Sequence, residues 1–67
     1  MSNDEEIKRV NEYKVGTMVA AIEELERMKE RYNHIGGFVQ EIDKPISVLN
    51  SSIRELELEM RGLKPND

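Results

Sequence analysis

The chain has 67 residues, with ten Lys and Arg against fourteen Asp and Glu, for a net charge of −4 and a pI of about 5.0. A chain this short is one domain at most and buries only about 60% of its unfolded surface, so conformational entropy nearly cancels burial unless a staple is added. It has no cysteine, which excludes a disulfide or thiolate metal site, and its acidity argues against a general nucleic-acid binder, whose phosphate contacts need a basic surface.

The N-terminal stretch MSNDEEIKRV is acidic with no apolar run behind it, so it does not read as a signal peptide. Ser2 and Glu5 have capping-box spacing, with Asn3 and Glu6 as a second option. Asp4, Glu5 and Glu6 then fall in a first helical turn, where the helix dipole favours negative charge.

A heptad numbered with Met18 at a places Asn11, Met18, Leu25, Tyr32, Val39, Ile46, Ile53 and Met60 at a. Lys14, Ala21, Met28, Ile35, Ile42, Leu49, Leu56 and Leu63 fall at d. From Met18 onward both rows are apolar or Tyr. Strands alternate with period two and do not produce this pattern, so the chain reads as all-α rather than as the disordered chain that 36% charged residues would also suit. In the first half Ile7, Val10, Val15, Val19 and Ile22 flank the seam, a stripe broad enough for more than one neighbour. Asn11 and Lys14 interrupt it. Asn at a can fix register, and Lys14 can lay its stem along the stripe; the alternative is a frayed N-terminal third.

On the back of this first helix Arg9, Tyr13, Gly16, Ala20, Arg27, Arg31 and His34 recur at spacings of three, four or seven. They form a candidate face for a partner or ligand. Gly16 and Ala20 permit close approach, Tyr13 offers a ring, and Arg27, Arg31 and His34 suit an anion. The plain alternative is an ordinary outer surface with a tolerated glycine.

The Gly36–Gly37 pair reads as a turn. Inside a helix two glycines cost about 2 kcal/mol and Pro45 about 3 more. Lys44, preceding the proline, is also pushed from helical angles. Gly37 as a left-handed cap lets Phe38 fold back toward Tyr32 and Asn33. The expected architecture is therefore an antiparallel helical hairpin: helix 1 at about 4–35, a turn at 36–37 and helix 2 at about 38–62 with a kink near Pro45. A start near Lys44 is the competing boundary for helix 2. Gly62 is the expected second left-handed cap, with Leu63 meeting Leu58 and Pro65 forbidding continuation.

One hairpin leaves the flank of each stripe wet, so self-association into a dimeric four-helix bundle is expected. Its core would be Met18, Ile22, Leu25, Met28, Ile35, Val39, Ile42, Ile46, Leu49, Ile53, Leu56 and Met60. No catalytic or metal residues and no cofactor are expected. His34 is the single histidine, Ser47, Ser51 and Ser52 have no base motif around them, and the paired carboxylates sit among Lys and Arg at salt-bridge spacing, as in Glu23–Arg27 and Glu57–Arg61. No run reaches the roughly 20 apolar residues of a membrane span, and a cytoplasmic location is expected. The expected function is a non-catalytic homo-oligomeric module that binds, inhibits or organises another macromolecule, most simply a protein. The alternative is a module that sequesters a phosphorylated small molecule or nucleotide between subunits.

Overall fold

A computed structural model describes residues 3–62, which form two helices packed against each other as a hairpin: α1, Asn3–Arg31, and α2, Phe38–Gly62. No strand occurs among the described residues. Asp4, Glu5 and Glu6 occupy the first turn of α1, with Lys29 and Arg31 in its last, so both ends oppose the helix dipole favourably. Asn3 already belongs to α1, and Ser2, the other capping-box candidate, lies outside the described residues.

Helix α1 ends at Arg31, short of the position near 35 that the glycine pair suggests. The Tyr32 N–H still donates to the Met28 carbonyl at 2.9 Å. The next two bonds are tighter turns, Ile35 N–H to Tyr32 O at 3.0 Å and Phe38 N–H to Ile35 O at 3.2 Å. The chain must reverse while stepping sideways by the roughly 8–10 Å between packed helix axes. It spreads that step over residues 32–37 instead of two glycines. Gly37 takes a left-handed φ of 82°, and its carbonyl accepts the Glu41 N–H at 3.2 Å, the first helical bond of α2. This geometry folds Phe38 back on Tyr32, edge to face, with ring centroids 5.6 Å apart and planes at 77°.

The two glycines therefore differ. Only Gly37 needs a conformation that costs an L side chain about 1–2 kcal/mol. Gly37→Ala is expected to lower stability by about 1 kcal/mol in urea denaturation. Gly36→Ala, with open space around its Cβ position, should be neutral or stabilise by up to about 1 kcal/mol through the unfolded chain. Equal effects of the two changes would refute this account of the turn.

Helix α2 begins at Phe38 and runs through Pro45. The proline removes the donor that would reach the Glu41 carbonyl, but both residues are exposed, so solvent can take its place. Gly62 remains helical with no left-handed φ, contrary to the cap expected there. Its proposed companions Leu63 and Pro65 lie outside the described residues, and Leu58 is 56% exposed.

Two cross-helix bonds fix the register. Near the open end Asn11 Nδ2 donates to Glu59 Oε1 at 3.1 Å, and near the turn Lys29 Nζ donates to Asp43 Oδ1 at 2.8 Å. Between them Val15 lies level with Leu56, Met18 with Ile53, Ile22 with Leu49 and Leu25 with Ile46. On α2 the seam uses the expected a and d rows, with Ile42 and Ile46 buried and Val39, Leu49, Ile53, Leu56 and Met60 half-buried. On α1 the seam differs from a plain a/d reading. It runs through Asn11, Val15, Met18, Ile22, Leu25 and Lys29, the a and e rows. Of row d, Lys14 and Ala21 are exposed, Met28 is half-buried, and Ile35 lies in the turn at 45% exposure. An a/d seam would sink Lys14 against α2, whereas a/e puts Val15 there and leaves the ammonium in water.

The result is a rod two helices thick, 53 × 15 × 11 Å, with a radius of gyration of 15.7 Å. A compact chain of this length would have about 11 Å. Among the described residues Ile42 and Ile46 are the only buried hydrophobic side chains, and none is fully enclosed.

Candidate functional site

With the seam located, three surfaces of the rod can be assigned. The first is the outer face of α1. At about 100° per residue, Arg9, Tyr13, Gly16, Ala20, Arg27 and Arg31 fall within about 60° of arc, opposite the seam. All six are exposed. A Cβ at Gly16 would meet nothing within 4 Å, so the gap is open to an approaching molecule. Arg27 is already engaged: its Nη2 donates to Glu24 Oε1 at 2.7 Å. That hydrogen bond, and then the carboxylate's charge, raise the guanidinium pKa above its ordinary value. The seventh candidate, His34, does not share this face. It is exposed in the turn beyond Arg31.

The second surface is one flank of the hairpin, where α1 presents Lys8, Glu12, Glu26 and Glu30 and α2 presents Asp43, Arg54, Glu57 and Arg61. A shallow depression lined by Glu26, Lys29, Glu30, Asn33 and Val39 confirms that these two helix sides adjoin. The Lys29–Asp43 bond closes over the seam here, and it raises the Lys29 pKa above the ordinary lysine value.

The third surface is the opposite flank. Here α1 presents Val10, Thr17, Ala21 and Met28, at spacings of seven, four and seven, and α2 presents Phe38, Pro45, Leu49, Ser52 and Leu56. None of these carries a charge, in a chain where 36% of residues do. Charges border it at both ends: Glu6, Lys14 and Glu59 surround a depression with Ile7, Val10 and Asn11 at the open end, and Glu24 and Arg31 adjoin Met28 toward the turn. Sequence reading places Ala21 and Met28 on the stripe but does not single out this flank. The spacing signal is present, yet it shows only when the strips of two helices are set side by side in the right register.

Asn11 links the seam to that end. It is the only buried polar residue among those described, 4% exposed, and its amide is bonded to Glu59. The N-terminal third is thus helical and pinned, not splayed. A single satisfied polar group in an apolar seam disfavours shifted registers, because sliding would leave the amide unpaired.

Among the described residues no group of three or more His, Cys, Asp or Glu could hold a metal ion, and no helix is long and apolar enough to cross a membrane. Comparison with known proteins yields no match to a family model, a curated protein or a solved structure.

Proposed function

We propose that the chain is a non-catalytic, homo-oligomeric helical module that binds, inhibits or organises another macromolecule, most simply a protein. The observation that carries this reading is the unfinished core. Among the described residues Ile42 and Ile46 are the only buried hydrophobic side chains, while Ile7, Val10, Val19 and Ile35 stay between 39% and 52% exposed. Small domains without disulfide or metal commonly make up the missing burial by association. A second hairpin supplies it, giving a four-helix bundle of dimeric form.

Self-association through a flank leaves the outer face of α1 free for a different molecule. Arg9, Tyr13, Arg27 and Arg31 form a basic, ring-bearing column on an otherwise acidic chain, which suits an acidic protein surface. The competing reading, a site for a phosphorylated small molecule, is weakened because His34 lies off the face.

Changing Arg27 and Arg31 together to Glu tests the outer face. Helicity and oligomer mass should be unchanged, since both side chains are exposed and opposite the seam. Affinity capture from the native source should lose the partners that the unaltered chain retains. Identical partners for both proteins would sink the assignment of this face.

A further inference from the structure

Among the described residues Gly37 alone has a left-handed φ, and glycine takes helical φ values as readily. The turn it closes leaves Tyr32 and Ile35 exposed at 36% and 45%. A hairpin places no demand on the phase of these residues: each helix must face the other, and a turn can reset the count between them. Here the count is not reset. Leu25, Tyr32, Val39 and Ile46 follow at spacings of seven, and Ile35 stands seven before Ile42. Of these, Leu25, Val39, Ile42 and Ile46 are seam residues. Continued backward as a helix, α2 would carry Ile35 and Tyr32 onto its own seam rows. The register agrees. Asn11–Glu59 and Lys29–Asp43 are centred on positions 35 and 36, and Met18 with Ile53 and Leu25 with Ile46 are centred midway between those positions. The same rule, carried into the turn, sets Tyr32 level with Val39 and Ile35 level with Gly36.

We propose that Gly37 is a hinge, and that at raised concentration two chains open their turns and exchange α2 to form one antiparallel pair of continuous helices. In that pair α1 of each chain packs on the partner's α2. The seam contacts are those of the closed hairpin, including Asn11–Glu59 and Lys29–Asp43, now made between chains. The two-fold axis passes between Ile35 and Gly36. There Tyr32 meets the partner's Val39, and Ile35 lies over the partner's Gly36, a large side chain above a residue that has none. Exchange of an identical element needs no new complementary surface, because the closed chain already makes the contact.

Burial of Tyr32 and Ile35 favours the open form. Loss of the edge-to-face contact of Tyr32 with Phe38, two glycines inside a helix and the entropy of association oppose it. The hairpin is therefore the dilute form and the continuous pair the concentrated one. At 1.5 Å per residue, residues 3–62 as one helix span about 90 Å, against 53 Å for the hairpin. The long form sets two copies of the Arg9–Arg31 column in opposite halves of one rod. This exchange is separate from the side-by-side association proposed above, which keeps both turns closed and adds thickness instead of length.

Small-angle scattering and sedimentation from micromolar to millimolar chain test the hinge. The unaltered chain should lengthen from 53 Å to about 90 Å on concentration, with the cross-section of one hairpin. Gly37→Ala strains the left-handed turn and favours the helix in both chains, so it should lower the dissociation constant of the long dimer by a factor on the order of a hundred or more. D-alanine at position 37, placed by chemical synthesis, has the opposite preference and should hold the chain at 53 Å throughout. Gly36→Ala, which gives up no left-handed φ, should change the dissociation constant less than about tenfold. A dimer of the unaltered chain or of Gly37→Ala no longer than the hairpin would overturn the exchange and leave side-by-side association standing. A Gly37→Ala chain that stays monomeric, or loses helicity without lengthening, would overturn it as well, because a continuous helix accepts alanine better than glycine. Equal lengthening of the L- and D-alanine chains would refute Gly37 as the hinge.

Discussion

Replacing Ile46 with alanine is expected to lower folding stability by about 2–3 kcal/mol, the lower part of the range for truncating a buried isoleucine. Ile46 and Ile42 are each 8% exposed and are the only hydrophobic side chains this well covered among the described residues. Alanine is the best helix former, so α2 itself is not weakened and the loss reports burial alone. At about 0.05–0.15 kcal/mol per residue, a chain this size has roughly 3–10 kcal/mol in total. One truncation therefore removes a large share, and Ile42→Ala should do the same. The two lie four residues apart on one face, so their effects will not simply add. Val48, on the outside of α2 and 63% exposed, is the control: Val48→Ala should stay within about 0.5 kcal/mol. Urea titrations of the three variants decide the matter. Equal midpoints for Ile46→Ala and Val48→Ala would mean that the seam is not the core.

Dilution should have an effect of similar size. If the folded form is a dimer, its stability follows mass action, and each tenfold dilution removes about 1.4 kcal/mol. Between 100-fold different concentrations the loss is about 2.7 kcal/mol, which for a folding unit of two chains lowers the melting temperature by about 10 °C. The expectation follows from the exposed apolar residues, since Val10, Val19 and Ile35 at 52%, 41% and 45% exposure leave a lone hairpin little net burial. Calorimetry or circular dichroism across that range gives the shift, with sedimentation in parallel. A melting temperature that does not move, in a sample sedimenting as single chains, would show that the hairpin is self-sufficient.

The amino-acid sequence by itself determined the helical class, the reversal of the chain and the apolar row of α2. These are local properties: the period of Val39, Ile42, Ile46, Leu49, Ile53 and Leu56 needs no partner to be read, and Gly37 marks a left-handed position that other residues avoid. The sequence also carried the column from Arg9 to Arg31, because residues on one helix face follow from spacing alone. Only the tertiary structure decided which two of the three apolar rows of α1 meet α2. That choice weighs Val15 in the seam against Lys14 in water, and it depends on a helix distant in the chain. It decided too that α1 stops at Arg31 and that His34 leaves the helix, because the turn must span the gap between helices as well as reverse direction. The flank that carries Val10, Ala21, Met28, Leu49 and Leu56 belongs to the same class. Its residues come from both helices, and Val19 stands level with Ser52 only once Asn11–Glu59 and Lys29–Asp43 have set the register.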